Sequence, residues 1–235
     1  MMRGLRIRLL KLAFHLFYNQ LAFTYDTVSR LVSLGSWRGW QRAVLPYLDH
    51  IGAGLVLELA HGTGALQVDL LRGNHPTVAI DLSPYMARIA RRRLSRQGLS
   101  TDFLRADARA LPFADGAFAA VVATFPTAFI LDDRCLAAIH RVLDPGGSAI
   151  IVMSAVLQGP GLRRHLIRLL YRITGQSTGL ASSADYKRAF AGHGFSVEPV
   201  ALPCDDSVVQ LLVLRKHLSQ ASNRSGNGLA IAAQA

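Results

Sequence analysis

Apolar and polar positions alternate with two different periods along this chain. Residues 5–23 repeat at helical spacing, with Leu5, Leu9, Leu12, Leu16 and Phe17 on one broad face. Arg8, Lys11, His15 and Asn19 form a narrow polar stripe opposite. More helix is expected from Asp26 or Thr27, with a break at Gly35 and a new start capped by Ser36 that runs to about Leu48. The middle then switches to short apolar runs separated by helix-length segments. Strands are expected at 54–59, 77–81, 102–105, 118–124 and 148–153, with helices over 62–73, from Ser83-Pro84, and over 132–143. Such alternation predicts βαβ units and a parallel sheet.

The end of the chain breaks this rhythm. Leu162, Leu166, Leu169, Leu170 and Ile173 face one side of a helix whose other side carries Arg164, His165, Arg168 and Arg172. A helix over about 183–193 stops at Gly194, and strand-like runs follow at 195–200 and 208–215. The link between those runs is too short for a crossover helix, so they are expected to pair antiparallel. Residues 218–235 are rich in Ser, Asn, Gly, Ala and Gln and read as a disordered tail. The organisation expected is a helical annex over 1–50, an α/β domain over 51–217 and the tail.

Composition narrows the chemistry. At 235 residues, 51% of them hydrophobic, the chain can build one generous core. Its two cysteines, Cys135 and Cys204, have no CxxC spacing, which argues against a zinc site or a disulfide framework, and no metal is expected. The net charge of +11 attracts anionic partners without choosing among them. Arg88, Arg91, Arg92, Arg93 and Arg96 share one expected helix and read as a solvated face. No run reaches the roughly 18 uncharged apolar residues of a membrane span. The basic, leucine-containing start is interrupted by Lys11 and His15, so export is not expected.

The strongest chemical signal is Val56-Leu-Glu58-Leu-Ala60-His61-Gly62-Thr63-Gly64, an acid at a strand end followed by a small-residue turn and a helix start. Glycines there let the backbone approach a ligand, and helix N-terminal amides bind anions. A P-loop would need Gly-Lys-Ser/Thr, but Ala65-Leu66 follows Gly64; a dinucleotide fingerprint would need glycine where Gln67 stands. Asp81 closes the second strand-like run, where a carboxylate can take both ribose hydroxyls; the alternative is an ordinary helix cap. Asp107, in Ala106-Asp107-Ala108, follows the third run and suits either an adenine amino group or a turn.

Taken together, residues 56–64, V-A-I-D-L-S-P-Y-M (78–86), R-A-D-A-R-A-L-P-F (105–113), F-A-A-V-V (118–122) and I-H-R-V-L-D-P-G-G (139–147) resemble class I S-adenosylmethionine-dependent methyltransferases. The resemblance is closest to the group that includes ubiquinone/menaquinone-biosynthesis and small-lipid enzymes, and runs from about Tyr25 to Arg215. It implies a doubly wound seven-stranded α/β sheet of order 3-2-1-4-5-7-6, its last strand antiparallel, with S-adenosylmethionine above strands 1 and 4. By matching position, Glu58, Gly62 and Gly64 would hold the cofactor's methionine end, with the small Ala60 beside them and His61 either a cofactor contact or merely a turn residue. Asp81 would take the ribose, Leu82 the adenine face, and Asp107 and Ala108 the adenine edge. Thr124 would flank the site, and Tyr25 would close over it. The family pattern usually has glycine at position 60 and Cys or Ser at 61, and often Asp at 119, where this chain has Ala60, His61 and Ala119.

In-line methyl transfer depends on placement and exclusion of water. His61, His140, His165 and His193 are candidate bases, none tied by sequence to a substrate. Thr124-Phe125-Pro126-Thr127 lies where an acceptor would meet the methyl, and lacks the Asn/Asp-Pro-Pro-aromatic pattern of base methylation. No nucleic-acid partner is expected. The basic amphipathic segments 5–23 and 162–173 suggest contact with a membrane surface, against the alternative that both cap the sheet. A small or lipid acceptor, such as a quinone precursor or phospholipid amine, follows, with a cytoplasmic location peripheral to the inner membrane face. A non-catalytic cofactor-binding protein and a methyltransferase of soluble small molecules remain the alternatives.

Overall fold

The computed structural model describes residues 33, 35–51, 54–158, 188–190 and 192–217. The segments 5–23 and 162–173, Tyr25 and the tail 218–235 lie outside the described residues. Two short helices open the described chain, α1 (Trp37–Arg42) and α2 (Leu45–Leu48). They replace the single helix expected to Leu48. Pro46, in the first turn of α2, lacks an N–H and crowds the preceding turn, so it starts a new helix instead of continuing one. The expected cap at Ser36 is not made; Ser33 Oγ accepts from the Trp37 N–H instead, at 3.0 Å.

Five parallel strands and three helices follow, alternating except that β4 comes directly after β3: β1 (Val56–Leu59), α3 (Ala65–Arg72), β2 (Thr77–Asp81), α4 (Pro84–Ser95), β3 (Asp102–Arg105), β4 (Phe118–Thr124), α5 (Asp133–Val142) and β5 (Leu143–Leu157). A hairpin, β6 (Phe195–Cys204) and β7 (Ser207–Lys216), closes the sheet. The strand order is β3-β2-β1-β4-β5-β7-β6, with β7 antiparallel to both neighbours. This is the seven-stranded α/β sheet that the sequence resemblance implied.

Register decides which residues share a face. Glu58 pairs with Ala79 of β2 and Val122 of β4. Side chains alternate along strands, so Val56 and Glu58 face one way and Leu57 and Leu59 the other. On the first face, Val56, Ala120, Val122, Ile150, Val152 and Leu211 pack beneath Trp40, Val44 and Leu48, with Leu66 and Leu70 of α3. On the second, Leu57, Leu59, Val121, Ala123 and Leu212 pack against Leu136, Ile139 and Val142 of α5. The central strands are buried on both sides, which explains their near-continuous apolar runs.

Position 54 is tight. A Cβ on Gly54 would lie 2.1 Å from the Ala119 Cβ, so the small residue at 119 belongs to that close approach.

Candidate functional site

The strand order reverses at β1, whose neighbours are β2 and β4. In open α/β sheets the crevice beyond the carboxyl ends of strands at such a point is where ligands sit. Leu59, Asp81, Arg105 and Thr124 are the last residues of β1 to β4. Asp81 and Thr124 thus stand at that edge, Glu58 lies one residue inside it, and Asp107 lies two residues past β3.

The turn after β1 is built from left-handed backbone. Ala60, Gly62 and Gly64 have φ of +53°, +55° and +70°. The two glycines do different work. A Cβ on Gly62 would approach nothing closer than the Ala60 carbonyl at 4.0 Å, which leaves open space above the turn. A Cβ on Gly64 would sit 2.6 Å from the Ala90 Cβ, so that glycine lets α3 and α4 pack closely. Thr63, between them, is buried, and its hydroxyl accepts from Arg93 Nη1 of α4 at 2.9 Å. Arg91 likewise donates to the Phe103 carbonyl at 2.8 Å. Two arginines of the expected solvated face therefore brace the turn and β3, because α4 runs directly beside both.

Asp81 joins the turn to β2. Its Oδ2 accepts from the Gly62 N–H at 3.0 Å and its Oδ1 from the Ser83 N–H at 2.8 Å. Ser83 caps α4 by accepting from the Met86 N–H. Leu82, between them, is 56% exposed, an apolar side chain standing in solvent beside a buried carboxylate. Arg105 Nε donates to the Leu82 carbonyl at 3.1 Å and holds this loop to the end of β3.

Glu58 is 1% exposed, and Gln67 Nε2 donates to its Oε2 at 2.6 Å. Gln67 Oε1 in turn accepts from the Thr77 hydroxyl. Burial pushes the Glu58 carboxyl up to about 8, against the pull of Gln67. Gln67 stands where a dinucleotide fingerprint would place its last glycine; here it links β1 to β2. His61 packs edge-on against Phe103 with ring centres 4.7 Å apart. Its Nδ1 lies 2.9 Å from the Gly62 carbonyl, which only accepts, so Nδ1 carries the proton. Burial lowers its pKa and keeps the ring neutral.

Asp107 faces Arg109, which donates through Nε and Nη2 at 2.9 and 2.7 Å and through its backbone N–H at 2.9 Å. Those bonds hold its carboxyl below the usual carboxylate range. Ala108 beside it is buried. At the other side of the edge, Thr124 meets Gln41 Nε2 of α1 at 3.5 Å. Phe125 follows in a left-handed conformation and stacks on Trp37, centres 4.5 Å apart at 25°. No group of metal-ligating side chains is found among the described residues.

The profile of a methyltransferase domain matches residues 56–147. The chain is 36% identical over 160 residues to the demethylmenaquinone methyltransferase of Thermus thermophilus, covering 66% of this chain and 70% of that protein. It is 32% identical over 177 residues to the demethylmenaquinone methyltransferase of Deinococcus radiodurans, covering 72% and 73%. The chain belongs to the class I S-adenosylmethionine-dependent methyltransferases. Among solved structures, a SAM-dependent methyltransferase of Thermotoga maritima superposes with a TM-score of 0.61 at 20% identity, over 86% of this chain and 98% of that one, which supports the fold.

This methyltransferase uses S-adenosylmethionine, and the residues present fit it. The space above Gly62, the anchored Asp81 carboxylate and the exposed Leu82 offer a backbone cradle, a diol acceptor and an apolar surface in succession. When bound, the cofactor supplies an electrophilic methyl group on a sulfonium. The chain's own contribution is a fixed frame. Both Asp81 oxygens are already aimed by backbone donors, so little ordering remains for binding.

Proposed function

We propose that this methyltransferase acts on a quinone precursor, an aromatic ring that enters over the end of β4. The observation that carries the proposal is the Trp37–Phe125 stack beside Thr124, an aromatic wall at the strand end that borders the crevice. Flat aromatic surfaces bind flat apolar rings with a geometric preference. The named activity of the Thermus thermophilus and Deinococcus radiodurans relatives supports the same substrate class. Gly62, in the turn that it shares with Ala60, His61 and Gly64 beside Glu58, forms the methionine end of the cofactor site, Asp81 and Leu82 the nucleoside end, and Asp107 and Ala108 the adenine edge. Segments 5–23 and 162–173 bring the enzyme to the cytoplasmic membrane face, where long-tailed acceptors reside.

The test is transfer of labelled methyl from S-adenosylmethionine to three acceptor pools: reduced naphthoquinone precursors, phosphatidylethanolamine, and a soluble amine and phenol set. Label confined to the quinone pool is expected. Label in the phospholipid or soluble pools with none in the quinones replaces the substrate class. Co-sedimentation with anionic liposomes at low salt tests the membrane contact separately, and a protein that stays in the supernatant removes it.

A further inference from the structure

His61 is buried, and its own backbone is pinned on both sides. Its N–H donates to the Ile80 carbonyl of β2 at 3.1 Å, and its carbonyl accepts from the Gly64 N–H at 3.0 Å. From that fixed footing the Nδ1–H donates to the Gly62 carbonyl at 2.9 Å. The N–H of Gly62 goes to Asp81 Oδ2 at 3.0 Å. Gly62 is thus held at its N–H from β2 and at its carbonyl from His61. A glycine at φ +55° needs such holding, since without a Cβ it exchanges conformations at little cost. A trans peptide sets C=O and N–H on opposite sides, so the ring that fixes the Gly62 carbonyl also turns the Thr63 N–H away from itself. The other ring nitrogen, Nε2, is buried with no hydrogen-bond partner. Phe103 of β3 lies edge-on to the ring, and Arg91 of α4 lies over Phe103 at 5.8 Å. A phenylalanine or leucine would fill this space without burying an unmet nitrogen, which costs stability. The polar function that offsets this cost is the Nδ1–H on the Gly62 carbonyl.

We infer that His61 is a positioning residue for the cofactor: its Nδ1–H fixes the Gly62 peptide, and with it the backbone cradle for the methionine end of S-adenosylmethionine, while the ring itself stays out of contact with the cofactor. This rests on the proposed placement of that end over Gly62. The ring acts as a post, footed on the backbone bonded to β2 and braced by Phe103. The two departures at positions 60 and 61 belong together. Ala60 carries a Cβ at φ +53°, which strains the turn one residue upstream of the post. A strained turn persists only where its surroundings over-determine it, and the His61 bond supplies that constraint. A cradle fixed before its ligand arrives loses less freedom on binding, so affinity rises with no new contact.

The experiment is calorimetry of the full chain with S-adenosylmethionine, read beside melting temperature, for wild type, His61→Asn, His61→Phe and Gly62→Ala. The Asn amide keeps an N–H donor near the place of Nδ1 but leaves space against Phe103, whereas the Phe ring fills that space and has no donor. The two readouts should therefore cross. His61→Asn is expected to melt below wild type because of the space it leaves, and to keep affinity within about threefold. His61→Phe is expected to melt above His61→Asn and to bind about tenfold or more weakly than wild type. If His61→Phe does not fold, His61→Leu takes its place. A residue that only fills the core would rank both readouts the same way. Affinities that follow the melting temperatures therefore overturn the inference, as does wild-type affinity in His61→Phe. When Gly62→Ala weakens binding and His61→Phe does not, the inference falls and the placement of the cofactor stands. When neither weakens it, the placement falls as well.

Discussion

The Asp81 carboxylate and the Gly62 N–H meet at 3.0 Å, which locks the end of β2 to the turn that follows β1. The same carboxylate takes the Ser83 N–H with its other oxygen. One anion therefore aligns the turn and caps the approach to α4. Asp81→Asn keeps one acceptor oxygen for two backbone donors and removes the charge. Hydrogen bonds to charged groups contribute about 1.5–3 kcal/mol, so affinity for S-adenosylmethionine should fall about 10- to 100-fold. Calorimetry measures it, and an unchanged dissociation constant would take Asp81 out of the cofactor site.

Glu58 should make stability fall as pH rises. Its pKa is raised from the ordinary 4.5 to about 8 by burial, so the folded chain holds this proton more tightly than the unfolded chain does. Its stabilising contribution is complete below about 4.5 and is lost as pH climbs to about 8, at up to about 1.4 kcal/mol per unit. Glu58→Gln is a permanent neutral analogue that can still accept from Gln67. Relative to wild type it should gain melting temperature between about pH 5 and about pH 8, the other titrating groups cancelling in the comparison. A difference that stays flat across this range would mean that Glu58 is ionised in the folded state.

How far the sequence revealed these features depended on whether the cause was local. β2 at 77–81 and β4 at 118–124 were readable to the residue, because each is an apolar run bounded by turn residues. β5 was expected over 148–153 but spans Leu143–Leu157. Pro145-Gly146-Gly147 looked like a break; in the sheet it is an irregularity, with Phe118 pairing Leu143 and Ala120 pairing Ser148. β6 runs through Pro199 and Pro203 to Cys204, which it can do because it is the edge strand and a missing N–H faces outward. In the site, the glycine turn and Asp81 were visible as motif. The Thr63–Arg93 and Gln41–Thr124 contacts were not, since each joins elements that only folding brings together. Gln67 was noticed only as a missing glycine, because nothing local shows that it bridges Glu58 and Thr77.

The two glycines of the turn should respond differently to the same change. Gly64→Ala places a methyl 2.6 Å from the Ala90 Cβ, at a φ of +70°. Overpacking and left-handed strain together should cost about 2–4 kcal/mol of stability. Gly62→Ala meets open space and carries only the strain of φ +55°, about 1–2 kcal/mol, but its methyl enters the cradle. The expected pattern is a large loss of melting temperature with Gly64→Ala, and a small one with a disproportionate loss of cofactor affinity for Gly62→Ala. Equal melting temperatures for the two would contradict the packing described for α3 and α4.

The anchor of α1 gives the last expectation. Trp40 is buried, and its Nε1–H donates to Ser207 Oγ, which donates on to the Cys204 carbonyl at 2.6 Å. Ser207→Ala leaves the indole N–H without its partner in a dry site, a loss of about 1–3 kcal/mol. The indole still packs on Phe125 and its strand neighbours, so the fold should survive. What loosens is the helix that carries Trp37 and Gln41, while the turn and Asp81 lie on other elements. Affinity for S-adenosylmethionine should therefore hold near the wild-type value as acceptor turnover falls, with KM for the acceptor rising more than kcat drops. If cofactor affinity falls in step with turnover, then α1 supports the whole crevice and not the acceptor side alone.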